Sequence, residues 1–539
     1  MVLLYTPLQE LYSPLNSDEL FELLSVYRAA VSRAVSSIES AVKTDWHHDS
    51  RPSHTSLVLT AFVFIIIVRI AWGPPFPYGS PKLLPGSYPI FCALRFFSHR
   101  GDFLQDGCHK SETEHFSFYC GKRRVVGLSS LDGRKTFFES KDLSLWSKGR
   151  KGTNSNVEDD YYRREATLLH SLPGSQRVDI LNKHIPVLIG DTSQALRQIV
   201  TRSNTGNLLD PFDDICRIAY QFLVRAAGPA EIAESPEVQA RILDCLLRVE
   251  EAKSAAYIIF PWLPTPARLK QVIACAKIYM ILNGVARNRS GRQKQDDALQ
   301  FLLDRGDNKF QIVASTFATF FATHLNLGIM TSWTLCYIAA DRYWYNQVQH
   351  EVDTALAKFR TSKDQAPAAI LAGLTAEQWE LEFPLIDLCL KDCLRIQNRS
   401  CAFRKNVGWS DVKIGKSGEF IPRDVYALHV DAIHHNPGIY KNPSKWDPGR
   451  YLPGRCEDKK VQLGYLGWGV GGHPCLGKRL AKLEVSIIVA LFFAMFEFHL
   501  CDTQGNPISD TPPVDRSRIS PCKPDIPMRL KYKLRHRQE

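Results

Sequence analysis

Apolar residues recur at helical spacing along most of this chain, and at strand spacing in only a few short stretches. The clearest helical runs are Glu165–Val200, Asp210–Ala227, Ser235–Ser254, Ala267–Asn288, Phe310–Tyr345 and Ala481–Phe496. Strand patterns are confined to Arg123–Leu128, Gly418–Val430 and Pro527–Leu534. The expected class is mostly α with a minor β component. No internal repeat or low-complexity linker interrupts residues 91–539, which read as one domain.

Two apolar segments precede that domain. Leu20, Leu24, Tyr27, Val31, Ile38 and Val42 recur at helical spacing from Asp18 to Lys43, and Asn16 or Ser17 can cap the start. This helix belongs to an N-terminal extension, residues 1–55, that either lies on a membrane surface or is a simple appendage. Residues 56–72 come next, apolar from Leu57 to Trp72 except for Thr60 and Arg69, with the run AFVFIIIV from Ala61 to Val68 at the centre. Its length is close to the lower limit of roughly 17–25 residues for a bilayer span. Arg69 can snorkel and Trp72 can sit among headgroups. The run begins too deep for a secretory signal, and a buried core helix is the competing reading. The adjoining segment favours a transmembrane anchor. Residues 73–90 contain Gly73-Pro74-Pro75-Phe76-Pro77, then Pro81, Pro85 and Pro89, a stiff extended hinge that would orient a domain above a membrane.

Composition narrows the classes further. Net charge is +11, from 67 Lys and Arg against 56 Asp and Glu, spread without the dense basic blocks of a nucleic-acid binder. It serves solubility, or forms a basic face for an acidic electron-transfer partner. The 14 cysteines show no CxxC pairs, so they read as reduced thiols and not a disulfide framework.

One cysteine differs by its context. Trp468-Gly469-Val470-Gly471-Gly472-His473-Pro474-Cys475-Leu476-Gly477 holds too much glycine and proline for a regular element, and a helix resumes at Lys478. Cys475 therefore sits on a glycine turn feeding a helix N-terminus. Free N–H groups and the positive dipole end stabilise a thiolate there. Glycines also let the backbone approach a flat cofactor.

This order, with Ala481 and Glu484 downstream, resembles the heme-binding signature of the cytochrome P450 superfamily. The resemblance implies Cys475 as axial ligand to the iron of heme b. It also implies a cradle of Trp468, Gly469, Gly471 and Gly477, with His473 donating to a heme propionate. The family usually has Phe at 468 and Arg at 473, and His occurs at the latter in the sterol demethylase-like branch. A thiolate ligand pushes electron density onto the iron and favours O–O cleavage.

Further motifs occur in the family's order. Leu388-Cys389-Leu390-Lys391-Asp392-Cys393-Leu394-Arg395 resembles its E-x-x-R helix with Asp for Glu, and Trp446-Asp447-Pro448-Gly449-Arg450-Tyr451 resembles the loop supplying a second arginine. The implied structural triad is Asp392, Arg395 and Arg450. Between them, Ile421-Pro422-Arg423-Asp424 and the stretch from His434 to Pro443 also match; His434 and His435 read as turn residues, not zinc ligands. In the long apolar helix, Ala322-Thr323-His324-Leu325-Asn326-Leu327-Gly328 aligns with a pattern whose acid and threonine normally deliver protons. Leu325 and Asn326 stand there instead, so proton delivery is expected through ordered water around Asn326, helped by His324. A similar Asn occurs in the cholesterol 7α-hydroxylase-like branch.

The resemblance covers roughly Pro74 onward and is nearest to fungal microsomal members of secondary metabolism. Asp210-Pro211-Phe212, Phe260-Pro261-Trp262-Leu263-Pro264 and Asp296-Asp297-Ala298-Leu299-Gln300 support that branch. It implies a heme-thiolate monooxygenase inserting one atom of O2 into a lipophilic terpenoid, steroid or polyketide. Electrons would come from NADPH through NADPH-cytochrome P450 reductase, with cytochrome b5 as a further partner. The implied location is the endoplasmic reticulum membrane, single-pass with the catalytic domain cytoplasmic. Two alternatives stay open: a heme-thiolate isomerase or dehydratase that needs no O2, and a degenerate heme-binding protein.

Overall fold

A computed structural model describes residues 60–61, 73–144, 178–202, 207–252, 265–289, 294–295, 297–397, 402–472, 474–518 and 522–535. The expected helix at 18–43 and His473 lie outside the described residues, as do the expected anchor 56–72 apart from Thr60 and Ala61 and the side chains of residues 322–325.

The body opens with helices α1 (Pro89–Ser98) and α2 (Arg100–His109), the hairpin β1 (His115–Cys120) and β2 (Arg123–Leu128), then α3 (Leu131–Glu139) and β3 (Leu143–Ser144). The long helix α4 (Val178–Arg202) and short strand β4 (Leu208–Leu209) lead into a π-turn, Pro211–Ile215, continued by α5 (Cys216–Ala227). Next come α6 (Ala230–Ala233), α7 (Pro236–Glu251), α8 (Pro266–Arg289) and α9 (Ala298–Asp304), followed by the longest described helix, α10 (Lys309–Ala340). After it stand α11 (Arg342–Phe359), α12 (Pro367–Ala372), α13 (Ala376–Glu382) and α14 (Pro384–Gln397), then strands β5 (Ala402–Asn406), β6 (Val412–Lys413), β7 (Phe420–Ile421) and β8 (Tyr426–His429). The chain ends in α15 (Lys478–Met495), β9 (Phe496–Cys501) and β10 (Arg529–Leu534).

Two expected elements are divided. The run Phe310–Tyr345 breaks at Asp341, whose carboxylate accepts from the N–H groups of Tyr343 and Trp344 and starts α11 as a separate helix. The run Gly418–Val430 becomes β7 and β8, because Pro422 to Val425 form a turn with Asp424 at φ +62°.

Strand order in the larger sheet is β1-β2-β8-β5-β3, with β2 and β8 parallel and the other pairs antiparallel. A second sheet runs β4-β10-β9, and β6 with β7 forms a separate hairpin. Helix α15 is buried on every side from Leu483 to Ala494, a stretch apolar all round except for Glu484 and Ser486. Close approach of α10 to α5 depends on Gly328, where a Cβ would lie 3.0 Å from the Cα of Cys216.

Two apolar cores meet along α10. Ile312, Val313, Phe317, Phe320 and Phe321 pack with α7, α8 and α9. Leu327, Ile329, Met330 and Trp333 pack instead with α4, α14 and α15. Phe321 is the last described residue of the first core on α10, and Leu327 the first of the second.

Candidate functional site

The cysteine loop is held by its own backbone. Gly469 N–H donates to Leu466 C=O at 2.9 Å, and Cys475 N–H donates back to Trp468 C=O at 2.7 Å. Gly469 and Gly471 have φ of +68° and +70°, which residues with a Cβ rarely adopt. Trp468 packs against the larger core, while Gly471, Gly472, Pro474 and Cys475 are exposed. The loop thus presents Cys475 on an exposed turn, with Gly477 as N-cap of α15. Cys475 is reachable from outside yet flanked closely enough that desolvation raises its thiol pKa, while the Gly477 N–H and the Lys478 charge pull it down.

Beside the loop lies a buried cluster of basic side chains, called here the recess. Arg404 on β5 and His429 on β8 share one face of the larger sheet, because Arg404 pairs with Ala427 and Ala402 with His429. Arg404 lies over the rings of Phe137 and Phe138 at 4.6 and 5.3 Å, and donates to Phe137 C=O. His429 packs against the same two rings and is fully enclosed. Its pKa is lowered to about 4 by burial, then by the Arg134 and Arg404 charges, against Asp431, so the ring is neutral near pH 7. Both ring nitrogens of His429, and Nε of the buried Arg134, have no hydrogen-bond partner among the described residues. The recess reaches the loop through Phe138, whose carbonyl oxygen abuts Gly471.

Behind the loop, Asp392 and Arg395 face each other on α14, both wholly buried. Their contacts are 2.7 Å (Nε to Oδ1) and 3.2 Å (Nη2 to Oδ2). Asp392 also accepts from the Asp447 N–H at 2.6 Å and the Tyr451 hydroxyl at 2.9 Å. Arg395 spends its remaining donors on the carbonyls of His434, Pro443 and Lys445. Arg450 stands differently. Its Nε is 3.7 Å from Asp392 Oδ1, an ion-pair distance without a hydrogen bond, and its head pairs with Glu457 at 2.9 Å. The shorter Asp thus engages one arginine fully and leaves the second largely to Glu457 and the carbonyls of Lys441, Asn442 and Lys445.

Asn326 is exposed on α10, although 317–321 before it and 327–338 after it are buried. It directly precedes Leu327, which belongs to the larger core. Nothing local in the sequence points to Arg134 or His429. Arg404 carries one readable signal, a charge beside the buried Phe403 in a short strand.

A heme requires an open sulfur donor, backbone that tolerates a flat ring, and partners for two carboxylates. The exposed Cys475, the positive-φ glycines and the incompletely hydrogen-bonded cationic recess fit those requirements.

A cytochrome P450 family profile matches residues 81–522. Cytochrome P450 monooxygenase AacuE of Aspergillus aculeatus is 30% identical over 471 residues, spanning 84% of this chain and 93% of AacuE. Cytochrome P450 monooxygenase dmxR5 of a Cryptosporiopsis species is 27% identical over 472 residues, 84% of this chain and 90% of dmxR5. Obtusifoliol 14-alpha demethylase of Sorghum bicolor is similar over a shorter stretch, 27% identical over 255 residues, 45% of this chain and 49% of the demethylase. With a mostly helical body and this match along most of its length, the chain belongs to the cytochrome P450 family: a heme-thiolate monooxygenase that receives NADPH electrons through a reductase and acts on a lipophilic substrate.

Proposed function

We propose that the Cys475 thiolate would hold the heme iron, and that residues 91–539 form the catalytic domain. The observation supporting this is the exposed Cys475 on a loop closed by the Cys475–Trp468 hydrogen bond at the start of α15. Trp468, Gly469, Gly471 and Gly477 would shape the shelf, and His473, Arg404, His429 and Arg134 would receive the carboxylates. Thiolate-ligated heme supplies the oxidising chemistry when bound. The chain's own task is to place a substrate C–H bond and move protons. Asn326, exposed between the two cores, can hold a water by donating from its amide and accepting at its carbonyl, without itself giving up a proton. His324 on the same helix is the candidate to extend that hydrogen-bonded path. Asp392, Arg395 and Arg450 are buried supports of the loop.

The substrate is read as a fungal secondary metabolite of terpenoid, steroid or polyketide type. Support comes from the fungal monooxygenases among the relatives and from one relative named sterol 14-demethylase. Residues 56–72 are proposed as a single-pass anchor in the endoplasmic reticulum membrane, with residues 1–55 before it, residues 73–90 as hinge and the domain on the cytoplasmic side. Exposed Tyr78, Leu83, Tyr88 and Leu94, just after the anchor, support a membrane-facing end, and cytochrome b5 is a candidate further partner.

Two measurements test this. Reduced protein under carbon monoxide should absorb at about 450 nm, and Cys475→Ala should abolish the band. Turnover of a lipid extract with reductase and NADPH under isotopically heavy dioxygen should label a product. Conversion without reductase would instead mark an isomerase or dehydratase.

A further inference from the structure

We infer that His434 is a positioning residue that sets the cysteine loop in register with the buried Asp392–Arg395 pair, an inference that rests on Cys475 being the heme ligand. The sequence places His434 in a polar turn; in the fold its ring is wholly buried. Nε2 lies 2.8 Å from the backbone N of Leu466, at the entry to the loop. Since that N–H donates, Nε2 must be the unprotonated nitrogen. The ring proton then sits on Nδ1, 3.1 Å from the Asp431 carboxylate, which accepts it. Asp431 thereby fixes the tautomer that the Leu466 contact needs.

The same residue grips the support behind the loop. Its carbonyl accepts from Arg395 Nη1 at 2.9 Å. On the loop side, Leu466 C=O accepts from Gly469 N–H, and Trp468 C=O accepts from Cys475 N–H. A continuous run of contacts therefore leads from Asp392 through Arg395, His434 and Leu466 to the peptide of Cys475. The rings of Tyr440 and Tyr465 flank the imidazole, and their hydroxyls donate to Gly464 C=O and Lys391 C=O, so the ring has little freedom to turn away. His434 is the side-chain acceptor for the Leu466 N–H among the described residues.

The test uses full-length protein purified with its heme. His434→Leu removes the acceptor while keeping bulk, and His434→Gln returns an oxygen acceptor on a side chain of similar reach. Hydrogen exchange is read at the Leu466 amide, together with the reduced-carbonyl band at about 450 nm that reports thiolate ligation. Leu466 should exchange about tenfold faster in His434→Leu, the change expected from losing one net hydrogen bond. The band should diminish, and His434→Gln should restore both signals while α14 amides stay protected throughout. Unchanged exchange at Leu466, or faster exchange with an unaltered band, overturns the proposal. Should His434→Leu fail to fold, Asp431→Ala releases the tautomer and must produce the same pair of changes; if it produces neither, the proposal also fails. A wild-type protein lacking the band, or Cys475→Ala retaining it, overturns the ligand assignment instead.

Discussion

Gly471 lies so close to Phe138 that a Cβ at position 471 would stand 2.1 Å from the Phe138 carbonyl oxygen. The obstacle is backbone, so no rotamer change relieves it, and the φ of +70° adds strain for any side chain. Gly471→Ala should therefore displace the loop or α3 and prevent heme retention. Gly472→Ala is the control, because a Cβ there meets nothing within 4 Å. The heme-to-protein absorbance ratio of purified variants checks this: near zero for the first, near wild type for the second.

Asp392 satisfies four donors while wholly buried. Removing the carboxylate leaves the Arg395 guanidinium as an uncompensated buried charge, a situation that costs about 3–5 kcal/mol. Asp392→Ala should accordingly lower the urea midpoint by that equivalent or give no folded protein. Arg450→Lys should cost less, because Arg450 Nε makes no hydrogen bond to Asp392 and a lysine can still reach Glu457. A larger loss in Arg450→Lys than in Asp392→Ala would contradict this ranking.

The cysteine loop is legible in the sequence because glycine and proline punctuation is local: Gly469 and Gly471 do take positive φ in the turn that presents Cys475. The helix carrying Asp392 and Arg395 is legible for the same reason, since a spacing of three puts them on one face. The recess is not. Arg404 and His429 lie 25 positions apart and share a face only through the β5–β8 register, while Arg134 arrives from α3. Strand pairing between distant segments leaves little trace in any local window. His434 escapes local reading for a related reason. A His-His-Asn-Pro stretch has the composition of a solvated turn, and its burial is decided by Leu466, 32 residues further on.

Asn326 is exposed on α10 between Phe321 of one core and Leu327 of the other, so its carboxamide can meet water or ligand. The variant that tests this is Asn326→Ala. Product formed per NADPH should fall, with a matching rise in peroxide, because the carboxamide that holds the relaying water is gone. Peroxide yield and product are measured in the same reductase-coupled assay. Unchanged coupling would remove Asn326 from the proton path.

Glu484 is wholly buried on α15, and neither carboxylate oxygen has a hydrogen-bond partner among the described residues. Burial alone raises its pKa well above the ordinary 4.5. The folded chain thus holds a proton that the unfolded chain releases above about pH 4.5. Stability from this group is full below that value and declines as pH rises toward the raised pKa, by up to about 1.4 kcal/mol per pH unit. Glu351, whose pKa burial raises to about 7 despite the N–H groups of Leu385 and Ile386, adds a slope of the same sign up to that pH. Comparing wild type with Glu484→Gln isolates position 484, because the amide keeps the shape and cannot ionise. Urea midpoints at about pH 5 and about pH 8 should converge in Glu484→Gln relative to wild type. Parallel pH profiles for the two proteins would mean that Glu484 is ionised and paired in solution, contrary to its apolar surroundings in the fold.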